Sequence, residues 1–195
     1  MIYFITNRKL VEPKKFLPII EEAASGGVGT IILREKDLNY TELLDLALKV
    51  KAITSQVPLI INGNIQIARE IKADGVQMGF KDFMEKKADF PGLVGVSVHS
   101  LEEAQLAEQK GADYLLASHI FPTDCKKGLA PRGISWLKEV TSRIKVPVVA
   151  LGGIKLENIK SVFEAQASGA ALMSEIMCAP DVTKLIADLK NEINN

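Results

Sequence analysis

The chain has 195 residues, 47% hydrophobic and 25% charged, which suits one sizeable globular core and leaves little room for two. Its 24 Lys and Arg against 24 Asp and Glu leave no net field to attract nucleic acid or an anionic membrane surface. The opening MIYFIT is apolar only as far as Asn7, Arg8 and Lys9, too short for a signal segment or a spanning helix, so cytoplasmic residence is expected.

Along the chain, short apolar, β-branched runs alternate with amphipathic stretches. The first strand pattern, Ile2 to Thr6, precedes a helical stretch from Pro13 to Ser25. The second, Val28 to Arg34, precedes Tyr40 to Ser55. Strand patterns follow at Pro58 to Asn62, Gly75 to Gly79 and Leu93 to Val98, the last running into a helix from Leu101 to Lys110. Ser100 with Glu103 is a capping-box signature that starts this helix directly after its strand. Tyr114 to Ser118 leads through a long loop to Ile134 to Arg143, and Val146 to Leu151 leads to Leu156 to Ala165. An eighth strand, Ala170 to Ser174, precedes a last helix from Asp181 to Ile193. The segments GGVGTIILRE, IKADGVQMG, KGADYLLAS and ASGAALMS echo one another in placing glycine or a small residue before an apolar strand. Eight such units, with no Gly-rich dinucleotide turn in TNRKLVEP, imply a single (β/α)8 TIM barrel over residues 1–195 rather than an open doubly wound sheet. Both termini are then expected at its amino-terminal side. Cys125 and Cys178 stand outside any CxxC or Cys/His cluster and read as free thiols, without a zinc site or a disulfide framework.

In a barrel the chemistry gathers where strands end, here at Thr6, Arg34 to Lys36, Asn62, Gly79 to Asp82, Ser97, His99, His119, Gly152, Gly153 and Ser174. His119 follows the sixth strand in ASHIFPTDCKKGLAPRG, and an imidazole that titrates near neutrality can both take and give a proton. A purely structural loop residue is the alternative. Gly152-Gly153 after strand seven, leading into a helix at Leu156, and Met173-Ser174 at the end of strand eight read as a backbone phosphate site, against the alternative of a plain tight turn. Arg34 and Lys36 are candidates for holding a substrate anion; the competing reading is a salt bridge to Glu35 or Asp82 across the mouth. Ser97 faces inward by the period of two, and Asn62 at the end of the third strand, with Thr123 and Lys126 of the His119 loop, completes the substrate-binding candidates. His99 and Trp136 read as packing residues.

These residues carry a resemblance. Almost the whole chain resembles the thiamin phosphate synthase superfamily through IYFIT, LREKD, LIIN, ADGVQMG, GVSVHSLEEAQLAEQKGADYLL, FPTDCKKG, VPVVALGGI and SGAALMSEI. Within it, SHIFPTDCKKGLAPRG and INGN resemble the TenI branch, the thiazole tautomerases, more than the synthases. Synthases carry a Gly-Pro pair before the FPT segment, a Thr-x-Thr-Lys element, an Asn-Asp pair after strand three and a histidine in DGVHLG. This chain has Ser118-His119, Thr123-Asp124-Cys125-Lys126, Asn62-Gly63 and Gln77.

The resemblance to the TenI branch implies an isomerase that aromatises a carboxylated dihydrothiazole ethyl phosphate. His119 would be its base, a thiazole phosphate its small-molecule partner, and it would need no metal or redox cofactor. A nucleic-acid or membrane partner is not expected, and a homodimer is left open. The first alternative is thiamin phosphate synthase, a transferase that joins a pyrimidine pyrophosphate to a thiazole phosphate. Mg2+ would then enter, with Asp82 the one metal-binding carboxylate retained, and the Gly63 and Cys125 departures lead to an expectation of weak coupling. A non-catalytic, phosphate-binding regulatory barrel is the second alternative.

Overall fold

The computed structural model describes residues 1–86, 89–123 and 128–194. Eight strands, β1 (Ile2–Ile5), β2 (Thr30–Leu33), β3 (Leu59–Asn62), β4 (Gly75–Gly79), β5 (Leu93–Val98), β6 (Tyr114–Ser118), β7 (Val148–Leu151) and β8 (Gly169–Leu172), pair in parallel in chain order. β8 returns to β1 and closes the ring, so the chain is a (β/α)8 barrel. Strands such as TIIL and VVAL are apolar on both faces because both are covered, one by helices and the other by the barrel interior. Ile31, Leu33, Ile61 and Leu115 point outward into the main core. Ile5, Ile32, Ile60, Tyr114, Leu116 and Val149 fill a separate cluster inside the ring.

The connecting helices are α1 (Pro13–Gly26), α2 (Tyr40–Ile53), α3 (Ile65–Glu70), α4 (Phe80–Glu85), α5 (Leu101–Gln109), α6 (Gly133–Arg143), α7 (Ile159–Glu164), α8 (Ser174–Met177) and α9 (Val182–Asn194). The sequence pattern does not reveal α3, α4 and α8, because segments of 6, 6 and 4 residues are too short to display a helical period. The helix after β7 begins at Ile159 rather than Leu156, since Asn158 folds its side chain back onto the Lys155 N–H, 2.8 Å away, and makes a turn first. β8 stops at Leu172, and Ser174 belongs to α8. At α5 the Ser100 hydroxyl accepts the Glu103 N–H at 3.1 Å, as expected. The Glu103 carboxylate, however, reaches one residue further back, to the His99 N–H at 2.6 Å.

Two features fix the ends of the barrel. The Met1 ammonium donates to the Ser168 carbonyl, and Lys190 of α9 donates to the carbonyl of Gly26 at the end of α1, which brings both termini to the amino-terminal side. At the opposite mouth the buried Glu35 carboxylate accepts the Thr6 hydroxyl at 2.8 Å and the Arg8 N–H at 3.1 Å, tying the loop after β1 to the loop after β2. Glu35 is thereby engaged with Thr6 and Arg8, and not, as the competing reading of Arg34 had it, with Arg34; Arg8 in turn makes a two-pronged pair with Asp37. No helix among the described residues is long and apolar enough to cross a membrane.

Candidate active site

A cavity of about 710 Å³ opens at the carboxyl ends of the strands. Its floor is the inner face of β4 and β5, with Gln77 and Ser97, and its walls include Ile5, Ile32, Leu116 and Leu151. The rim carries most of the candidates. Arg34, Asn62, His119 and Thr123 line it, together with Gly152, Gly153, Met173 and Ser174 from the last two loops. A smaller recess of about 420 Å³ begins at the next residues of β3 and β4 and is lined by Gly63, Asn64, Met78, Asp82 and Lys86.

His119 is 5% exposed and stands on the cavity wall. Its Nε2 lies 3.3 Å from the Leu129 carbonyl; a carbonyl only accepts, so Nε2 is the donor of this contact. The backbone around it is tied on both sides, with Ile120 N–H donating to the Leu151 carbonyl and Arg132 N–H to the His119 carbonyl. His99 does not line the cavity, and its Nδ1 lies 2.9 Å from the Ser118 carbonyl, which supports the end of β6. Trp136 is half-buried against the main core, as a packing residue should be.

The glycine pair has a double reason. Gly152 and Gly153 have φ of 104° and 64°, the left-handed region that favours glycine. A Cβ on Gly153 would fall 2.4 Å from the Pro122 carbonyl oxygen, so the close approach of the β6 loop demands glycine by itself. Yet the turn also frees backbone donors: among the described residues no hydrogen bond uses the N–H of Gly153 or of Ser174 at the start of α8. Two such N–H groups stand at one rim with Arg34 and Lys155 on the same lining, and donors and cations so grouped can receive an anion.

Other candidates fall elsewhere. Lys36 is exposed and lies outside the cavity lining, and Asp82, also exposed, lines only the smaller recess. Lys126 and Cys125 lie outside the described residues, while Cys178 is a free, exposed thiol. Sequence reading had not assigned Asn7, Gln77, Lys155 and Glu175 to the site, yet all four line the cavity. Asn7 and Lys155 lie one and two residues beyond strand ends that were already singled out, and that proximity was the available signal. Among the described residues no three His, Cys, Asp or Glu side chains cluster as a metal centre would.

The model of the thiamine monophosphate synthase family matches residues 2–176. A thiamine-phosphate synthase of Desulfitobacterium hafniense strain Y51 is 41% identical over 187 residues, covering 92% of this chain and 90% of the relative. One of Pyrococcus abyssi is 38% identical over 197 residues, covering 98% and 94%. Among solved structures, the thiamine phosphate pyrophosphorylase from Pyrococcus furiosus superposes with a TM-score of 0.86 at 32% identity, covering 99% of this chain and 95% of that one. These whole-length similarities to proteins named as synthases overturn the tautomerase expectation. That reading gave a few local departures, His119 and Gly63 among them, more weight than the rest of the barrel. The chain belongs to the thiamine monophosphate synthase family.

Proposed function

We propose that this enzyme is a thiamine-phosphate synthase, joining a pyrimidine pyrophosphate to a thiazole phosphate with release of pyrophosphate. The observation that carries the reading is the 41% identity to a protein of that name over 92% of the chain. The geometry supports it with a cavity at the carboxyl ends of the strands and a second recess lined by the neighbouring residues Gly63 and Met78. The N–H groups of Gly153 and Ser174, with Arg34 and Lys155, hold phosphate. Asn62, Ser97 and Thr123 face the rings.

Bond formation at a thiazole nitrogen that carries no hydrogen requires no general base. His119 therefore serves as a substrate contact on the cavity wall. The main chemical demand is to stabilise the charge that develops on the departing pyrophosphate, and preorganised cations and N–H groups at the rim meet it. Magnesium binds through one or two carboxylates together with substrate phosphates. Among the described residues Asp82 is the one carboxylate lining the smaller recess, so they would suit a magnesium ion that arrives as the pyrophosphate's counter-ion better than a metal centre built by the protein.

The test is a coupling assay with magnesium, pyrimidine pyrophosphate and thiazole phosphate. Saturable formation of thiamin phosphate with one pyrophosphate released per turnover is the expected result; no product under saturating substrates overturns the assignment.

A further inference from the structure

The chain ends beyond β1 and β2 divide their side chains by the period of two. Ile5 and Asn7 on one, and Ile32 and Arg34 on the other, line the cavity, while Thr6 and Glu35, which alternate with them, are 0% and 4% exposed. Arg34 is half-buried, and among the described residues its guanidinium has neither a hydrogen-bond nor an ion-pair partner. Its aim is therefore set by where the backbone roots it.

That root is held by side chains rather than by the sheet. The Thr6 N–H still donates to the Ile32 carbonyl at 3.0 Å, but the Arg34 N–H then donates at 3.0 Å to the Thr6 hydroxyl instead of to a backbone carbonyl. The Thr6 hydroxyl passes its own hydrogen to Glu35 Oε1 at 2.8 Å, and both Glu35 oxygens accept the Arg8 N–H at 3.1 Å. An N–H only donates and an ionised carboxylate only accepts, so the order runs from Arg34 through Thr6 to Glu35. The Arg8 guanidinium is turned to Asp37 and stays 3.8 Å from Glu35 Oε2. Hydrogen bonds onto a buried charge are the stronger kind, which makes this knot a stiff anchor.

We propose that Glu35, acting through the Thr6 hydroxyl, is a positioning residue for Arg34: the buried carboxylate holds the chain beyond β2 against the chain beyond β1, so that the guanidinium stays aimed at an anion on the rim. This rests on the synthase reading for the identity of that anion, a substrate phosphate or pyrophosphate group.

Calorimetry with inorganic pyrophosphate and magnesium reads the aim of Arg34 without requiring turnover. Thr6→Val removes the hydroxyl and keeps the shape, so it should weaken pyrophosphate by about tenfold, whereas Thr6→Ser should stay within about twofold. Glu35→Gln, which leaves one amide oxygen for two donors, should fall between them. With Arg34→Gln already present, Thr6→Val should add less than about a twofold loss, because the relay acts only through the guanidinium. Its loss should instead add in full to that of Lys155→Gln, a cation on the same lining outside the relay. Wild-type affinity in Thr6→Val, an equal loss in Thr6→Ser, or full additivity with Arg34→Gln would each overturn the proposal. If Thr6→Val fails to fold, Glu35→Gln carries the same cycle with Arg34→Gln and Lys155→Gln, and additivity with both refutes the relay. A wild type that shows this coupling yet forms no thiamin phosphate refutes the synthase reading and leaves the relay standing, whereas one that binds no pyrophosphate refutes the relay.

Discussion

At the scale of single residues, Arg34 and Lys36 separate what one strand end offers. Both are cations beyond β2, but Arg34 lines the cavity while Lys36 is exposed and outside it. A charge-assisted hydrogen bond contributes about 1.5–3 kcal/mol, so Arg34→Gln should lower kcat/KM by roughly 10- to 100-fold. Lys36→Gln should stay within about threefold, as a solvated surface charge does. Steady-state kinetics of the coupling reaction decides both, and equal losses would move Lys36 into the site. Sequence reading found the rim because barrels place chemistry at strand ends, and polar residues or glycines stand there in plain view. On the floor it found Ser97 and missed its neighbours. Tyr114 and Gln77 are 37 positions apart and meet only because the ring closes, and Gly95 reveals nothing of its purpose until their side chains are seen above it. Gly153 shows the converse: the turn at Gly152-Gly153 was legible, while its packing against Pro122 was not. A bulky substitution there would strain the turn before it tested any ligand.

At the scale of elements, the loops after β1 and β2 are joined by one buried carboxylate. Burial pushes the Glu35 carboxyl above its ordinary value of 4.5, outweighing the Thr6 hydroxyl and Arg8 N–H, which act to lower it. The folded state then holds its proton more tightly than the unfolded state. Stability from this group is greatest when it is protonated and falls as pH rises from the ordinary carboxylate range through the folded-state value. Glu35→Gln should remove this component. Urea unfolding across that window should show the stability of wild type relative to variant declining with pH and then levelling; a flat or rising difference would contradict the assignment. The strands were legible because each is a short apolar run buried on both faces, whereas α3, α4 and α8 have too few turns to leave a pattern. Strand ends drifted by one or two residues where the neighbouring turn takes over, as at Ser174.

At the scale of the whole molecule, α9 packs on α1 and α7 and completes the outer layer. Its Val182, Ile186 and Leu189 are buried, and side chains of this kind contribute about 1.5–3 kcal/mol each. Their sum is comparable with the roughly 5–15 kcal/mol by which a domain is stable, so a chain ending at Asp181 should lose its cooperative thermal transition in circular dichroism. The closed ring has a further consequence for traffic. Tyr3 and Tyr114, with ring centroids 5.9 Å apart, plug the barrel beneath Gln77, so the cavity is a dead end rather than a passage. Under the proposed synthase activity, a ring seated on the floor should therefore enter before a phosphate gripped at the rim closes over it, an order that product-inhibition kinetics checks: random-order patterns would contradict it.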